Sequence, residues 1–254
     1  MGWRLAVVCL ALPCLCAFDG SHAREALDRA FHNLYGADIL AGVEMTVRGP
    51  RKSSGVRFAF GRKQSGGETR TLVYSASGGR SATRALLFQR PGERDRIFVS
   101  DGPHGQVRPM SAGRRGWPLF GTDFSYEDFR AKRADDFRIE VLGSEEVEGE
   151  PCRVLRLRPF AGPYTMVLVW LSTSRPVILR SDYFDDRGLW KRLSVPADKV
   201  SLQFGWWVPM EDEMLDLRSG SRTLRRIRNL LIDTAVPDEL FTTTRLARGR
   251  MPKF

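Results

Sequence analysis

The sequence predicts a mainly β protein with a few helices, and three observations predict it. Short segments in which apolar and polar residues alternate recur from residue 39 to residue 232, at intervals of roughly ten to fifteen residues. Turn formers such as glycine, proline and aspartate sit between them. One stretch near the start instead carries its apolar residues at helical spacing. Regular short strands separated by turns imply a sandwich, a barrel or a large curled sheet. The absence of a fixed-period repeat argues against a propeller.

The first 23 residues have the plan of a cleavable signal peptide: Arg4, an apolar run over residues 5–18, and a small-residue exit at Ser21, His22 and Ala23. That run falls short of the roughly 20 residues a spanning helix needs. Residues 24–254 are therefore expected to form one exported domain in the periplasm. A lipid-modified Cys14 or Cys16 is the competing reading, against which Pro13 and Leu15 are poor residues to precede such a cysteine. Cleavage would remove Cys9, Cys14 and Cys16 and leave Cys152 without a disulfide partner, so packing must hold the fold together.

Over residues 24–34, Ala26, Leu27, Ala30, Phe31 and Leu34 form one apolar stripe on a helix. Strands follow. Val43, Met45 and Val47 alternate with polar or small neighbours, as do Val56, Phe58 and Phe60, and residues 63–67 read as a turn. Further strands are expected at 71–75, 84–89, 96–100, 137–142, 153–158, 164–171, 177–184, 189–194, 200–204, 206–217 and 222–232. In 164–171 both parities are apolar, with Tyr164, Met166, Leu168 and Trp170 on one side and Val167, Val169 and Leu171 on the other. Such a strand is covered on both faces, either beneath a helix or between the core and a hydrophobic ligand cavity. Residues 102–121 are rich in glycine and proline and read as a long loop or lid. Phe124, Tyr126 and Phe129, with Thr122 as N-cap, suggest a short helix after it.

The formal net charge of +10 suits an anionic membrane surface or an acidic partner, and equally a merely soluble basic surface. Arginine is spread along the chain rather than gathered in a tract, and nucleic acid is not an expected partner of an exported protein. His32 and His104 have no cysteine or aspartate at ligand spacing, so no metal or cofactor is expected. There is no Gly-x-Ser-x-Gly elbow and no phosphate-binding loop. The pairs Asp135-Asp136, Glu145-Glu146 and Asp185-Asp186 read as solvated hairpin tips, and Glu148-Gly149-Glu150 as another hairpin closure.

Residues 121–129 read Gly-Thr-Asp-Phe-Ser-Tyr-Glu-Asp-Phe, and residues 183–191 read Tyr-Phe-Asp-Asp-Arg-Gly-Leu-Trp-Lys. Between and around them lie a Glu-Gly hairpin leading to Cys152-Arg153-Val154-Leu155, the strand Val169-Trp170-Leu171, Val208-Pro209, and Pro237-Asp238-Glu239-Leu240-Phe241. In this order, over residues 38–245, the set resembles the outer-membrane lipoprotein-sorting family, the LolA- and LolB-like carriers and their broader homologues. One departure is Asp101-Gly102-Pro103-His104-Gly105, which stands where the family has aromatic and arginine-rich strands.

The resemblance implies a strongly curved antiparallel sheet, an incomplete barrel closed by helices, whose apolar concave face holds an acyl chain. It implies a non-enzymatic monomer that receives lipoprotein acyl chains or lipid from an inner-membrane exporter and passes them to an outer-membrane acceptor. Expected cavity residues are Val43, Met45, Phe58, Phe60, Leu168, Trp170, Leu179, Tyr183 and Trp207, with Asp123, Phe124 and Phe129 anchoring the lid. Two rivals are a lipid or lipoprotein sensor, or exporter accessory, of the same fold, and an enzyme whose carboxylates come from several strands.

Overall fold

The computed structural model describes residues 20–50, 53–75, 83–101 and 105–248. Most of the expected leader, residues 1–19, and His104 lie outside the described residues. The first element, α1 (Gly20–Tyr35), buries Ala23, Leu27, Ala30 and Phe31 on one face. This stripe ties the helix to the sheet, since burying a leucine or phenylalanine contributes roughly 1.5–3 kcal/mol.

The strands are β1 (Ile39–Arg48), β2 (Ser53–Ser65), β3 (Glu68–Ser75), β4 (Thr83–Gln89), β5 (Arg96–Asp101), β6 (Arg108–Pro109), β7 (Phe137–Val147), β8 (Glu150–Pro159), β9 (Met166–Ser172), β10 (Ile178–Asp185), β11 (Gly188–Ser194), β12 (Val200–Gln203), β13 (Trp206–Pro209), β14 (Glu211–Asp216) and β15 (Arg222–Ile232). A short helix, α2 (Thr243–Arg248), follows them. Among the described residues, 13 strands form one sheet in the order β6-β5-β4-β3-β2-β1-β15-β14-β11-β10-β9-β8-β7, and β12 and β13 form a separate hairpin. The recorded pairings are antiparallel, and β1 with β15 joins the two halves of the sheet, from Ile39 opposite Ile232 to Arg48 opposite Arg222.

The edges β6 and β7 do not pair with each other, so the sheet stays open. It nevertheless curls. Val99 on β5 and Leu155 on β8 share one buried cluster with Phe31 of α1, although nine strands separate β5 from β8 in the sheet order. At about 4.8 Å per strand a flat sheet would hold them tens of ångströms apart. The back of the sheet is covered twice: Val236, Phe241 and Leu246 pack over Leu40, Leu72 and Leu86, while Val195 and Val200 pack over Cys152, Trp170 and Leu179. Cys152 is buried as a free thiol.

Five local expectations change. Asp135 and Asp136 lie in a 3-10 turn over Ala134–Asp136 that leads into β7 rather than at a hairpin tip. β2 runs through Ser65, and the turn is confined to Gly66 and Gly67, both at positive φ, which glycine adopts without strain. Residues 206–217 are two strands, because Pro209 cannot donate to a ladder and the chain leaves the small hairpin there for the main sheet. Glu145 and Glu146 lie within β7 rather than at a tip, since the turn falls at Glu148 and Gly149; Glu145 accepts a 2.7 Å bond from the Trp170 indole. The short helix near Phe124 is a 3-10 turn at Tyr126–Phe129 capped by Ser125, not Thr122. Thr122 Oγ1 instead donates to Leu119 O at 2.8 Å and shapes the preceding turn.

Candidate functional site

The front face of the curled sheet encloses a cavity of about 190 Å³. Its floor comes from alternate residues of the strands: Ala41 and Val43 of β1, Phe60 of β2, Val167 and Val169 of β9, Tyr183 of β10, Met214 of β14 and Ile227 of β15. Its roof is the second half of α1, with Phe31, Leu34 and Tyr35, and the segment that carries Phe124 and Phe129. Trp207 closes one end; Asn33 on α1 ties it down, donating to Trp207 O at 2.7 Å and accepting from Trp207 N at 2.9 Å.

The roof segment is held by polar bonds around its two phenylalanines. The Asp123 carboxylate accepts from the hydroxyls of Ser221 and, at 2.6 Å, Thr223, which fastens the segment to β15. Gln89 on β4 bonds both backbone groups of Ala131, at 2.9 and 3.1 Å. Phe120, at φ 56°, and Gly121 turn the chain so that the Phe120 ring lies 5.2 Å from Phe58. A positive φ in a bulky residue is held only where surrounding packing enforces it.

Beneath the segment, Asp128 accepts from Ser125 N at 2.7 Å, from Ser125 Oγ at 2.8 Å and from Tyr164 OH at 2.8 Å, with Lys191 Nζ 4.0 Å away. Burial, reinforced by the Asp128 charge, raises the Tyr164 hydroxyl well above its ordinary pKa, which keeps it a donor. Buried Asp212 and half-buried Arg225 form an ion pair, and the guanidinium lies 4.8 Å from the Phe124 ring centre. Burial opposes the Arg225 cation, but Asp212 more than offsets this and its pKa lies above the ordinary value. Arg62, third after Phe58 and Phe60 on the inward face of β2, donates to Leu34 O of α1 and to Phe129 O of the roof segment, both at 3.2 Å.

Of the residues expected to line a cavity, Val43, Phe60, Tyr183 and Trp207 do, as do Phe124 and Phe129 of the roof. Met45 and Phe58 belong to the same front core but lie outside the cavity wall, Phe58 being covered by Phe120 and Phe129. Leu168, Trp170 and Leu179 are placed on the back of the sheet. For β9 the apolar pattern fits both parities, and the structure turns Val167 and Val169 inward. For Leu179, an irregularity between Ile178 and Arg180 breaks the alternation, so Ile178 points forward and Leu179 backward. Arg62, Asp128, Lys191, Asp212 and Arg225 bring charge to this region, and the inward parity of Arg62 after two phenylalanines is its readable signal in the sequence.

Among the described residues no group of three or more His, Cys, Asp or Glu side chains is placed to hold a metal ion, and no helix is long and apolar enough to cross a membrane. A family model described as "Uncharacterized protein" matches residues 67–248. No functionally curated protein matches the sequence. A DUF1329 family protein from Desulfovibrio piger has a similar structure, with TM-score 0.80 and 21% identity, covering 87% of this chain and 98% of that one. A putative outer membrane lipoprotein-sorting protein domain from Vibrio parahaemolyticus aligns with TM-score 0.79 and 21% identity, over 90% of this chain and 97% of the other. A LolA superfamily protein from Nitrosomonas europaea aligns with TM-score 0.60 and 19% identity, over 87% and 97%.

Proposed function

We propose, from the similarity of this fold to a lipoprotein-sorting domain and a LolA superfamily protein, that the chain is a non-enzymatic periplasmic carrier of lipoprotein acyl chains or a related lipid. The observation that carries this reading is the apolar cavity between the curled sheet, α1 and the roof segment. Moving a hydrocarbon chain from water into such a space is worth about 0.8 kcal/mol per methylene, so affinity accrues along the chain without a precise polar site.

At about 190 Å³ the cavity is smaller than the roughly 300–1,000 Å³ of ordinary ligand pockets. A two-chain anchor therefore requires α1 and the roof segment to part from the sheet. The polar bonds that hold them include those of Arg62, Asp123, Gln89, Asn33 and Asp128, each on the order of 1–3 kcal/mol. Cargo entry can offset their loss, and cargo departure restores them.

The test is extraction and mass spectrometry of lipid that co-purifies with the exported protein, followed by a fluorescent acyl-probe titration and transfer between two vesicle populations. The variant Val169→Trp, which places an indole in the cavity floor, is expected to weaken probe binding at least tenfold while remaining folded. Wild-type protein that neither carries lipid nor takes up an acyl probe would end the carrier reading. Binding without transfer would instead favour the sensor or accessory role.

A further inference from the structure

The cavity contains a positive charge that the fold does not balance. Arg62 is only 3% exposed and reaches the cavity from the inward face of β2. Its Nε donates to Thr71 Oγ1 at 3.3 Å, and its two terminal nitrogens donate to Leu34 O and Phe129 O at 3.2 Å. All three acceptors are neutral, the bonds are long, and a guanidinium has five N–H donors to satisfy. Among the described residues no carboxylate lies within ion-pair distance of it, whereas two other cations in the cavity wall have theirs, Arg225 with Asp212 and Arg130 with Asp136.

Its surroundings reinforce the imbalance. Of the nearby groups that act on Arg62, Tyr35 favours its charged form and a second cation, Arg225, opposes it. Burial, opposed in part by Tyr35 and aided by Arg225, pushes its pKa down to about 10, which leaves it charged at neutral pH. The guanidinium lies 4.8 Å from the centre of the Tyr35 ring, and Lys132 lies 5.7 Å from the same ring. Lys132 Nζ donates to the carbonyls of Glu127 and Arg130 at 3.1 and 3.2 Å, and the Glu127 carboxylate offsets part of its charge. A buried charge is ordinarily paired, because the interior cannot solvate it. Arginine in a dry site also matches carboxylate and phosphate oxygens with two parallel bonds.

We propose that Arg62, with Lys132 beside the same Tyr35 ring, receives the anionic head group of an amphiphile, a carboxylate or a phosphate, whose tail occupies the cavity. This rests on the carrier reading of the same cavity and adds the charge class of the cargo.

The experiment titrates delipidated wild-type protein, near neutral pH, with dodecanoate, dodecyl phosphate and dodecanol, and separately with inorganic phosphate. At least one anionic amphiphile is expected to bind about tenfold or more tightly than dodecanol, a difference of about 1.4 kcal/mol. Inorganic phosphate alone is expected to bind far more weakly. In Arg62→Gln the ratio of anion to dodecanol affinity should fall towards unity, whatever the change in affinity common to both, and Arg62→Lys should recover part of the ratio. Equal wild-type affinities for the alcohol and the anions would overturn the head-group assignment and leave the carrier reading standing. Inorganic phosphate binding as tightly as dodecyl phosphate would replace the amphiphile by a simple ion site, and failure of every probe to bind would remove both readings. Full anion preference in folded Arg62→Gln would overturn the role of Arg62; if that variant does not fold, the wild-type comparison still decides the head-group assignment.

Discussion

The two faces of β9 have nearly the same composition and opposite fates. On the back, Leu168 and Trp170 join Cys152, Val154, Val177, Leu179 and Val195 in a packed cluster, with the Trp170 indole bonded to Glu145 and the Arg180 guanidinium 4.1 Å above its ring. On the front, Val167 and Val169 face an unfilled space, roofed by a helix and a segment that polar bonds hold in place. Apolar side chains therefore do not by themselves distinguish core from cavity. What distinguishes them is whether the opposing layer interlocks with the strand or spans over it. The back layer is the short stretch that carries Val195 and Val200, whereas the front layer is α1 together with a roof segment that brings Asp128, Arg130 and Lys132 to the cavity.

The comparison can be broken or sharpened by substitution. Trp170→Ala removes the largest side chain of the back cluster and should cost about 3–5 kcal/mol of unfolding free energy in a urea titration. The fraction that remains folded should keep its acyl-probe affinity; a specific loss of affinity would show that the two faces are not separate. Asp212→Ala leaves the half-buried Arg225 without its buried partner and should cost about 2–3 kcal/mol. The double variant Asp212→Ala with Arg225→Met should recover much of that loss, and no recovery would mean that the pair does more than balance charge.

A smaller effect is expected from Asp123→Ala, which takes away two hydroxyl bonds between the roof segment and β15. Stability should fall by about 1–2 kcal/mol. Probe release should accelerate by more than in Trp170→Ala, which stopped-flow displacement would measure. The smallest effect is one of pH. On the back of the molecule, hydrogen bonds from Arg175, Ser172 and Ser174 outweigh burial and hold the Glu150 carboxyl at about 2. A folded-state value below the ordinary one means that this contribution is full above pH about 4.5 and is lost as the pH falls towards 2. Glu150→Gln should therefore lower stability at neutral pH and flatten the acid limb of the stability profile. An unchanged acid limb would assign that dependence to other carboxylates.

Much of the fold was legible because strand parity and turn chemistry are local properties. The stripe Leu27, Ala30 and Phe31, the alternation Val43-Met45 and Phe58-Phe60, and the turn at Asp186-Arg187 appear in the structure where the residues place them. The split at Pro209 and the bulge beside Leu179 were missed for opposite reasons. Proline is a visible local signal, whereas a bulge has no composition of its own. In the site, Phe60, Tyr183, Trp207, Phe124 and Phe129 were legible as large apolar side chains of definite parity. The pairings Asp128 with Tyr164 and Asp212 with Arg225 were not, since each joins segments that alternation treats independently.

By itself, then, the sequence determined a chain of antiparallel strands with one amphipathic helix, and the family-like order of segments around residues 121–129 and 183–191. Local propensity and periodicity suffice for that, because they act over a few neighbouring residues. Only the tertiary structure decided which face of β9 meets the cavity, that β1 pairs with β15, and that Arg62 is buried with no carboxylate among the described residues within ion-pair distance. These depend on which distant segments pack together, and burial and charge compensation are sums over such neighbours that no single stretch of chain contains.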